Sequence, residues 1–439
     1  VKGLFIYPSD VFFPIFALML RLAHILFLSL FLFDLAAQAQ ENKDKPEKKT
    51  IRKWSLSDDF TTEVPVAFDT TFSLFHQYRV TDKYSTVNAS LGNYGLPIYQ
   101  LSFFDRITDP DKFLYSYYYP YMFLPDKALF MDTQVPFTQL SWTFGTPRET
   151  SEQTFGIMHS QNINSYWNFG LIYDIIYSLG QYNFQRAEDK SFTFHTSYEK
   201  NKYRFYIAAG LNNLLSHENG GINGIDRIMD YTKTRDIPVN LNLSNASGSL
   251  KNKNILMVQR YSLGKVVSEA DSVKSEKKGF AGLNGTFSHI FQLETNKRFY
   301  SDSYPSSGFY DSIYISSSKT GDTLSAMNLE NTVRFDFTTD ESRKFRLGGG
   351  VGIRNEIIRY GQITPTFNSP LIDTLIKWKR SNNVLVGKLL NNIGEKFRWE
   401  ADGEMYLTGF RKGDFNIKGE IDKSFDFKKG RATWNISGI

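Results

Sequence analysis

The sequence predicts an all-β protein, a transmembrane antiparallel β-barrel of roughly 12 to 16 strands at the usual span length. Three observations predict this fold. Apolar and charged residues alternate with a period of two, aromatic residues make up 16% of the chain, and the sequence near its beginning has the pattern of a secretory signal peptide. Alternation is typical of a strand with two different faces, and aromatic residues favour strands.

The composition excludes several other classes of protein. Of the 439 residues 22% are charged, which excludes a bundle of membrane helices, since each helix needs about 20 consecutive apolar residues. The chain has no cysteine, so disulfides, thiolate metal sites and cysteine nucleophiles are excluded. The six histidines lack the spacing of a zinc motif, and we expect no metal and no cofactor. Because the 51 basic and 46 acidic residues are spread along the chain, we also expect no nucleic-acid partner.

Residues 19–39 are predicted to be a signal peptide. A long apolar stretch follows Arg21 and ends at the small-residue cleavage pattern Ala37-Gln38-Ala39. In this interpretation residues 1–18 precede the natural start of the protein. The alternative is a transmembrane anchor over Phe12 to Leu35, which is long enough to span a bilayer. An abrupt change from the cleavage pattern to charged residues favours cleavage.

The chain after the cleavage site is predicted to have two parts. Residues 40–63 carry many charges without periodicity, which indicates a charged periplasmic tail or linker. Residues 64–439 form the barrel, with long polar outer loops near 219–254 and 296–328. The aromatic run from Tyr115 to Tyr121 fits an aromatic girdle at the membrane interface.

The alternation is clearest in two segments that flank the turn Arg411-Lys412-Gly413, which predicts a hairpin. Similar segments surround Phe194, Phe335 and Val351, and the last of these is rich in glycine, as expected for a bent or closely approached strand. The charged face is predicted to line a lumen with Arg334, Asp336, Arg346, Arg354, Arg398, Glu400, Asp402, Glu404, Lys418 and Glu420. The apolar face is predicted to contact lipid with Phe397, Trp399, Met405, Leu407, Phe415, Ile417 and Ile421.

Two folds accommodate strands with one charged and one apolar face. The apolar faces of two sheets meet in a soluble sandwich, whereas the apolar face of a barrel meets lipid. Segments of about nine to eleven residues suit tilted barrel strands, while soluble strands average about five to six. Together with the signal peptide, this length favours the barrel.

Several short strings are similar to those of the "putative porin" family of the Bacteroidetes outer membrane. Their order along the chain also resembles that of the family. The strings are Trp54-Ser55-Leu56, the Phe68 to His76 stretch, Ser90-Leu91-Gly92-Asn93-Tyr94-Gly95, Asp132 to Thr138, His159-Ser160-Gln161-Asn162 and Glu218-Asn219-Gly220-Gly221-Ile222. From about Trp54 to Gly264 the similarity is specific to the family, whereas beyond Gly264 it is limited to a general strand pattern.

This resemblance implies a porin-like channel in the bacterial outer membrane through which small hydrophilic solutes diffuse passively. Its partners would be the lipid bilayer, those solutes and, during biogenesis, the barrel-assembly machinery. Members of the family look longer and usually end in an aromatic residue, whereas this chain stops at Ile439. We therefore expect a C-terminally truncated member whose barrel need not be fully closed.

Two alternatives stay open for the function. The first is a barrel that does not conduct and serves an envelope export or assembly complex. The second is an outer-membrane barrel hydrolase, which would need a nucleophile or paired carboxylates beside a histidine at the outer rim. Neither His159 nor the His217-Glu218 pair indicates such a site, so no enzyme is predicted. The mixed charges of the predicted lumen indicate weak ion selectivity.

Overall fold

The computed structural model describes residues 51–68, 77–85, 87–103, 106–107, 109–145, 151–223, 240–263, 283–306, 308–311, 318–339, 347–366, 369–393, 397–427 and 430–438. Residues 1–50, which include the predicted signal peptide and the alternative anchor, lie outside the described residues. Among the described residues, no helix is long and apolar enough to cross a membrane.

Residues 51–133, termed here the N-terminal segment, form a small structure of their own. Its strands are β1 (Ile51–Leu56), β2 (Glu63–Pro65), β3 (Asn88–Ser90), β4 (Ile98–Gln100) and β5 (Leu129–Thr133). The strand β1 pairs antiparallel with both β2 and β5, while β3 pairs with β4. The segment also contains the helix α1 (Val80–Tyr84) and short 3-10 helices at Pro110–Lys112, Ser116–Tyr121 and Pro125–Lys127.

The rest of the described chain forms one antiparallel sheet of thirteen strands, in which the spatial order follows the chain order. A separate two-stranded pair, β11 and β12, lies in the connection between β10 and β13. The strands are β6 (Phe137–Phe144), β7 (Glu152–Asn164), β8 (Trp167–Ser178), β9 (Ala187–Lys200), β10 (Tyr203–Glu218), β11 (Ile222–Asn223), β12 (Asn240–Leu241), β13 (Ala246–Ser262), β14 (Leu283–Asp302), β15 (Thr320–Thr339), β16 (Leu347–Thr366), β17 (Ser369–Ile393), β18 (Phe397–Gly409), β19 (Phe415–Phe427) and β20 (Gly430–Gly438).

The predicted fold class is confirmed, because the chain is all-β, its sheet is antiparallel and thirteen strands fall within the expected range. Within the described residues β6 and β20 are the two edges and do not pair, so the sheet is not closed. The strands are longer than predicted, up to 25 residues in β17. Neighbouring strands supply hydrogen-bond partners to one another along this length, so the hydrogen-bonded ladder is longer than a bilayer is thick.

The boundaries of three predicted parts differ in the structure. The sheet begins at Phe137 rather than at residue 64. The long connections cover 219–245 and 303–319, because the remainder of the predicted loops belongs to β13, β14 and β15. Apolar and polar residues alternate less regularly in those strands than in β18 and β19, because asparagine, serine and threonine occupy both faces. The polar composition of these segments therefore led to the prediction of loops.

The sheet curls around the N-terminal segment. This segment lies against one face, termed the inner face, and the opposite face is termed the outer face. Arg79 pairs with Glu152 of β7, whereas Asp58 pairs with Lys418 of β19 at 3.3 Å. Ten inter-strand steps of about 4.8 Å would place these strands about 48 Å apart in a flat sheet. One segment contacts both strands because the sheet is strongly curved.

Within the charged tail or linker predicted over 40–63, the described residues 51–63 fold against the inner face. Trp54 is 2% exposed and packs against Phe130 and Tyr206. Around it lies an apolar cluster to which the inner face of β10, β13 and β14 contributes Tyr206, Ala208, Leu256, Val258 and Ile290. Burial of this aromatic side chain outweighs the charges that surround it in the sequence.

The predicted aromatic girdle at Tyr115 to Tyr121 is wrong. Tyr118 and Tyr121 are buried inside the curled sheet, where the Tyr118 hydroxyl lies 3.2 Å from the Ser216 Oγ of β10. An amphipathic tyrosine suits a membrane interface and a polar interior equally well, because its ring is apolar and its hydroxyl finds a partner. Composition alone could not separate these two locations.

Glycines in β16 allow side chains of β15 to cross it, as the sequence predicted for a closely approached strand. A Cβ atom on Gly350 would collide with the carboxylate of Asp336 and would lie 2.7 Å from Nη2 of Arg334. A Cβ on Gly352 would collide with Arg334 itself. The missing side chains therefore leave room for the Arg334–Asp336 ion pair on the inner face.

Candidate functional site

A cavity of about 810 Å³ lies on the inner face, between the N-terminal segment and strands β14 to β19. Its described lining contains twelve acidic and six basic side chains. The acidic ones are Asp58, Asp59, Asp109, Asp111, Asp126, Glu294, Glu330, Glu356, Glu400, Asp402, Glu404 and Glu420, and the basic ones are Lys112, Arg334, Arg354, Lys388, Arg411 and Lys418. The remainder of the inner face, from β7 to β14, is largely covered by the N-terminal segment.

An asparagine ladder fixes the segment along the covered half. Asn212 accepts a hydrogen bond from the Phe123 backbone N–H at 2.9 Å and donates to the Phe123 carbonyl at 2.9 Å. Asn254 donates to the same carbonyl at 2.8 Å, and Asn252 links Asn212 to Asn296 on β14. Amide side chains carry both donors and acceptors, so they satisfy backbone groups that would otherwise be buried without partners.

The loop between β1 and β2 carries the segment across to the opposite wall. Asp59 accepts hydrogen bonds from Arg334 Nη1 of β15 and Lys388 Nζ of β17, each at 3.2 Å. The Ser57 hydroxyl, at 2.6 Å, and the Thr61 hydroxyl, at 2.7 Å, donate to the other carboxylate oxygen. The Thr61 backbone N–H also donates to that oxygen, at 3.2 Å, so five donors converge on one carboxylate from three separate parts of the chain.

This arrangement favours the ionised form of Asp59. Burial by itself would raise the pKa of its carboxyl, but the Lys388 ammonium, the Ser57 hydroxyl and the Arg334 guanidinium outweigh burial and hold that pKa well below its usual range. The side chains of Arg334 and Lys388 are themselves only 6% and 8% exposed. Asp59 is therefore charged at neutral pH, and it compensates two buried cations.

A second network lies further along the cavity wall. Arg354 of β16 donates from Nε to Glu356 at 2.7 Å and from both terminal nitrogens to Glu404 of β18, at 2.8 and 3.0 Å. The contact with Glu404 is bidentate, the geometry that a guanidinium and a carboxylate share. Arg354 therefore bridges β16 and β18 across β17 and stiffens the wall.

Two carboxylates near these networks are held by neutral groups. Glu294 accepts hydrogen bonds from Asn252 at 2.9 Å, Asn296 at 2.8 Å and the Tyr115 hydroxyl at 3.3 Å. Glu330 accepts from Asn328 at 2.7 Å and from Gln292 at 3.3 Å. These uncharged donors fix the orientation of the two carboxylates.

The structure brings together most of the residues that the sequence assigned to a lumen. Arg334, Arg354, Glu400, Asp402, Glu404, Lys418 and Glu420 line the cavity. Asp336 lies beside it and pairs with Arg334, Arg398 is exposed outside the lining, and Arg346 lies outside the described residues.

The residues assigned to lipid lie on the outer face. Phe415 and Ile417 are 73% and 61% exposed, and the partly exposed Trp399 is the least accessible of the set. Exposed apolar side chains also occur on the outer face of earlier strands, for example Leu211, Val333 and Leu389. A continuous apolar surface of this size indicates contact with something other than water.

Sequence reasoning missed Asp59, Glu294, Glu330, Glu356 and Lys388. For Glu294 and Glu356 a weak alternation with apolar neighbours was present in the sequence and could have placed them on a strand face. No local pattern could have found Asp59, because its partners Arg334 and Lys388 are 275 and 329 residues away along the chain.

Comparison with known families identifies the family of this chain. A family described as "Putative porin" matches residues 50–437, which is most of the chain. The chain belongs to this putative porin family. The resemblance to this family that the short strings predicted is thereby confirmed. The match extends through both the N-terminal segment and the thirteen-stranded sheet.

Other comparisons add little to the family match. No curated protein matches this putative porin. Among solved structures, it is similar to the closed form of the ferric-catecholate import receptor Fiu from E. coli K12, with a TM-score of 0.39 and 9% sequence identity. The alignment covers 72% of this chain and 48% of the receptor, so the chain spans about half the length of that protein.

Proposed function

We propose that the protein is an outer-membrane channel through which small hydrophilic solutes diffuse passively. The route is the cavity between the N-terminal segment and strands β14 to β19. A polar or ionic solute pays a large cost to cross hydrocarbon, and a water-filled path lined by charged side chains removes that cost.

A single observation carries this proposal: one curled sheet has a charged cavity on its inner face and large exposed apolar side chains on its outer face. That arrangement stabilises a barrel in lipid and a polar interior together. Membership of a porin family favours a channel over the hydrolase alternative. In this proposal the outer face contacts the bilayer of the bacterial outer membrane, and the barrel-assembly machinery inserts the chain after export.

One feature of the structure supports the second candidate, a barrel that does not conduct. The N-terminal segment covers the inner face from β7 to β14, and its apolar cluster around Trp54 makes that half impermeable to polar solutes. If the described cavity does not connect the two sides of the membrane, the barrel is a scaffold for an envelope complex. Conductance therefore separates the two candidates.

The test is single-channel recording with the purified protein in a planar lipid bilayer. We expect discrete, reproducible conductance steps in symmetrical KCl, and a step that becomes smaller when tryptophan replaces Asn416, which lies on the inner face and lines the cavity. Ile417→Trp, at the adjacent position on the outer face of the same strand, is the matched control. Absence of steps from a folded, inserted protein would overturn the channel and favour the scaffold.

A further inference from the structure

We propose that the passage selects cations over anions, so that its solutes are inorganic cations and small organic cations. This inference rests on the proposed channel and adds the charge class of its solutes. Mixed charges along the strands predicted weak selectivity, but the folded wall is not balanced. The cavity lining has twelve acidic and six basic side chains, although the whole chain carries a formal charge of +5.

Five of the six basic side chains described in the wall are already compensated, the exception being Lys112. Arg334, Arg354, Lys388, Arg411 and Lys418 each have a nitrogen within 4 Å of at least one carboxylate. Lys388 contacts Asp59, Glu400 and Asp402 together. An anion entering the cavity would have to compete with these carboxylates for each cationic group, so the wall offers it little attraction.

The surplus acidic side chains are arranged differently. The donors to Glu294 and Glu330 are amides and one tyrosine hydroxyl, so these hydrogen bonds place no positive charge beside the carboxylates. Glu330 lies directly opposite Glu356 on the neighbouring strand, and such a pairing of like charges is unfavourable. Arg354, whose Nε lies 2.7 Å from Glu356, offsets part of this repulsion. A cation in the cavity beside Glu330 reduces the repulsion further, whereas an anion gains nothing there.

These two observations are independent. The charge surplus gives the sign of the potential in the cavity, while the pairing of the wall's basic groups removes the binding positions that an anion would use. Both point to the same class of solute. Among the described side chains, Glu294 and Glu330 accept hydrogen bonds only from neutral donors, so replacing them tests what carboxylates of the wall contribute to the selectivity without removing an ion-pair partner.

The experiment measures the reversal potential of the channel in a KCl gradient at neutral pH. The intact protein should be more permeable to K⁺ than to Cl⁻ by about fivefold, the factor that corresponds to about 1 kcal/mol for a unit charge at about 4 Å in water. Glu294→Gln with Glu330→Gln should lower this ratio toward one. Asp322→Asn removes an exposed charge on β15 outside the cavity lining and should leave the ratio unchanged.

Each outcome has a distinct meaning. Discrete channels with a ratio of one or below in the intact protein would overturn the selectivity and leave the channel standing. An unchanged ratio in the double variant would overturn the assignment to Glu294 and Glu330. The intact protein alone tests the sign of the selectivity, so a double variant that fails to fold does not remove the test. Absence of channels from the inserted protein would overturn the channel and the selectivity together.

Discussion

At the scale of the residue, a few side chains connect parts of the chain that are far apart in sequence. Asp59 joins the N-terminal segment to β15 and β17, and the asparagines of β10, β13 and β14 hold the backbone of Phe123. Most of these groups are buried or partly buried, and their hydrogen bonds are satisfied by one another. Removing one partner therefore leaves others uncompensated, which costs more than the loss of a surface contact.

Asp59→Asn should destabilise the protein by about 2 kcal/mol, because Arg334 and Lys388 are buried cations that retain only part of their compensation. Urea unfolding of the protein in detergent measures the change. Asp58→Asn is the matched control, since the neighbouring Asp58 side chain is 94% exposed and should leave the midpoint unchanged. Equal midpoints for the two variants would contradict the role given to Asp59.

The contribution of Asp59 should also depend on pH. Its pKa is depressed in the folded protein, so its stabilising effect is fully present above the unfolded value of about 3.9 and is lost as the pH falls through the folded value. The difference in stability between the intact protein and Asp59→Asn should therefore be constant from pH 5 to 7 and shrink below about pH 4. A difference that stays constant down to pH 2 would contradict this sign.

At the scale of the element, β1 determines how the N-terminal segment is held. In β1 the charged residues Arg52 and Lys53 precede Trp54, and the ring of Trp54 is inserted into the apolar cluster of the inner face. Apolar side chains such as Leu256 and Val258 on an inner face would be exposed to water if the segment left. The segment is therefore a permanent part of the interior rather than a loosely attached tail.

Trp54→Ala should release this segment while the sheet stays folded. Truncating a buried tryptophan costs about 3 to 5 kcal/mol, which raises the undocked population on the order of 100-fold or more. Limited trypsin digestion should then cleave within residues 51–133, and far-UV circular dichroism should show the sheet intact. Leu91→Ala, at a side chain of the same segment that is 60% exposed, should leave the digestion pattern unchanged. Equal cleavage rates would count against the docked segment.

At the scale of the whole molecule, the sheet separates charged side chains on its inner face from apolar side chains on its outer face. Alternate side chains of each strand point to the inner or the outer face, so one sequence period produces both the charged cavity and the exposed apolar surface. The two edges β6 and β20 stay unpaired among the described residues. On the outer face, apolar side chains such as Phe415 and Ile417 are 73% and 61% exposed, which suits lipid.

Ile417→Arg and Asn416→Arg should have opposite consequences for insertion. An arginine at position 417 would face lipid, at a cost of about 2 to 4 kcal/mol near the middle of the bilayer, whereas position 416 lines the aqueous cavity. Folding into lipid vesicles, followed by the mobility difference between heated and unheated samples on a gel, measures insertion. Equal insertion of both variants would favour a soluble sandwich over a barrel.

The strand content, the antiparallel sheet and the division of faces were determined by the sequence itself, because side chains on a strand alternate whatever lies around it. In β18 and β19 the separation of Glu404 from Met405 and of Lys418 from Ile417 could be read directly from the residues. The short strings near Trp54 and Ser90 also indicated the family, since they are local in the chain. All of these features depend on contacts or periods of a few residues.

Only the tertiary structure decided what fills the curled sheet and which charges remain uncompensated. The tyrosines at Tyr118 and Tyr121 suited a membrane interface as well as an interior, and the choice depended on the inner face of β9 and β10 that receives them. The balance of charge in the cavity depended on pairs such as Asp59 with Lys388. Such pairs join residues hundreds of positions apart, and the curvature of the sheet, rather than any local pattern, brings them within hydrogen-bond distance.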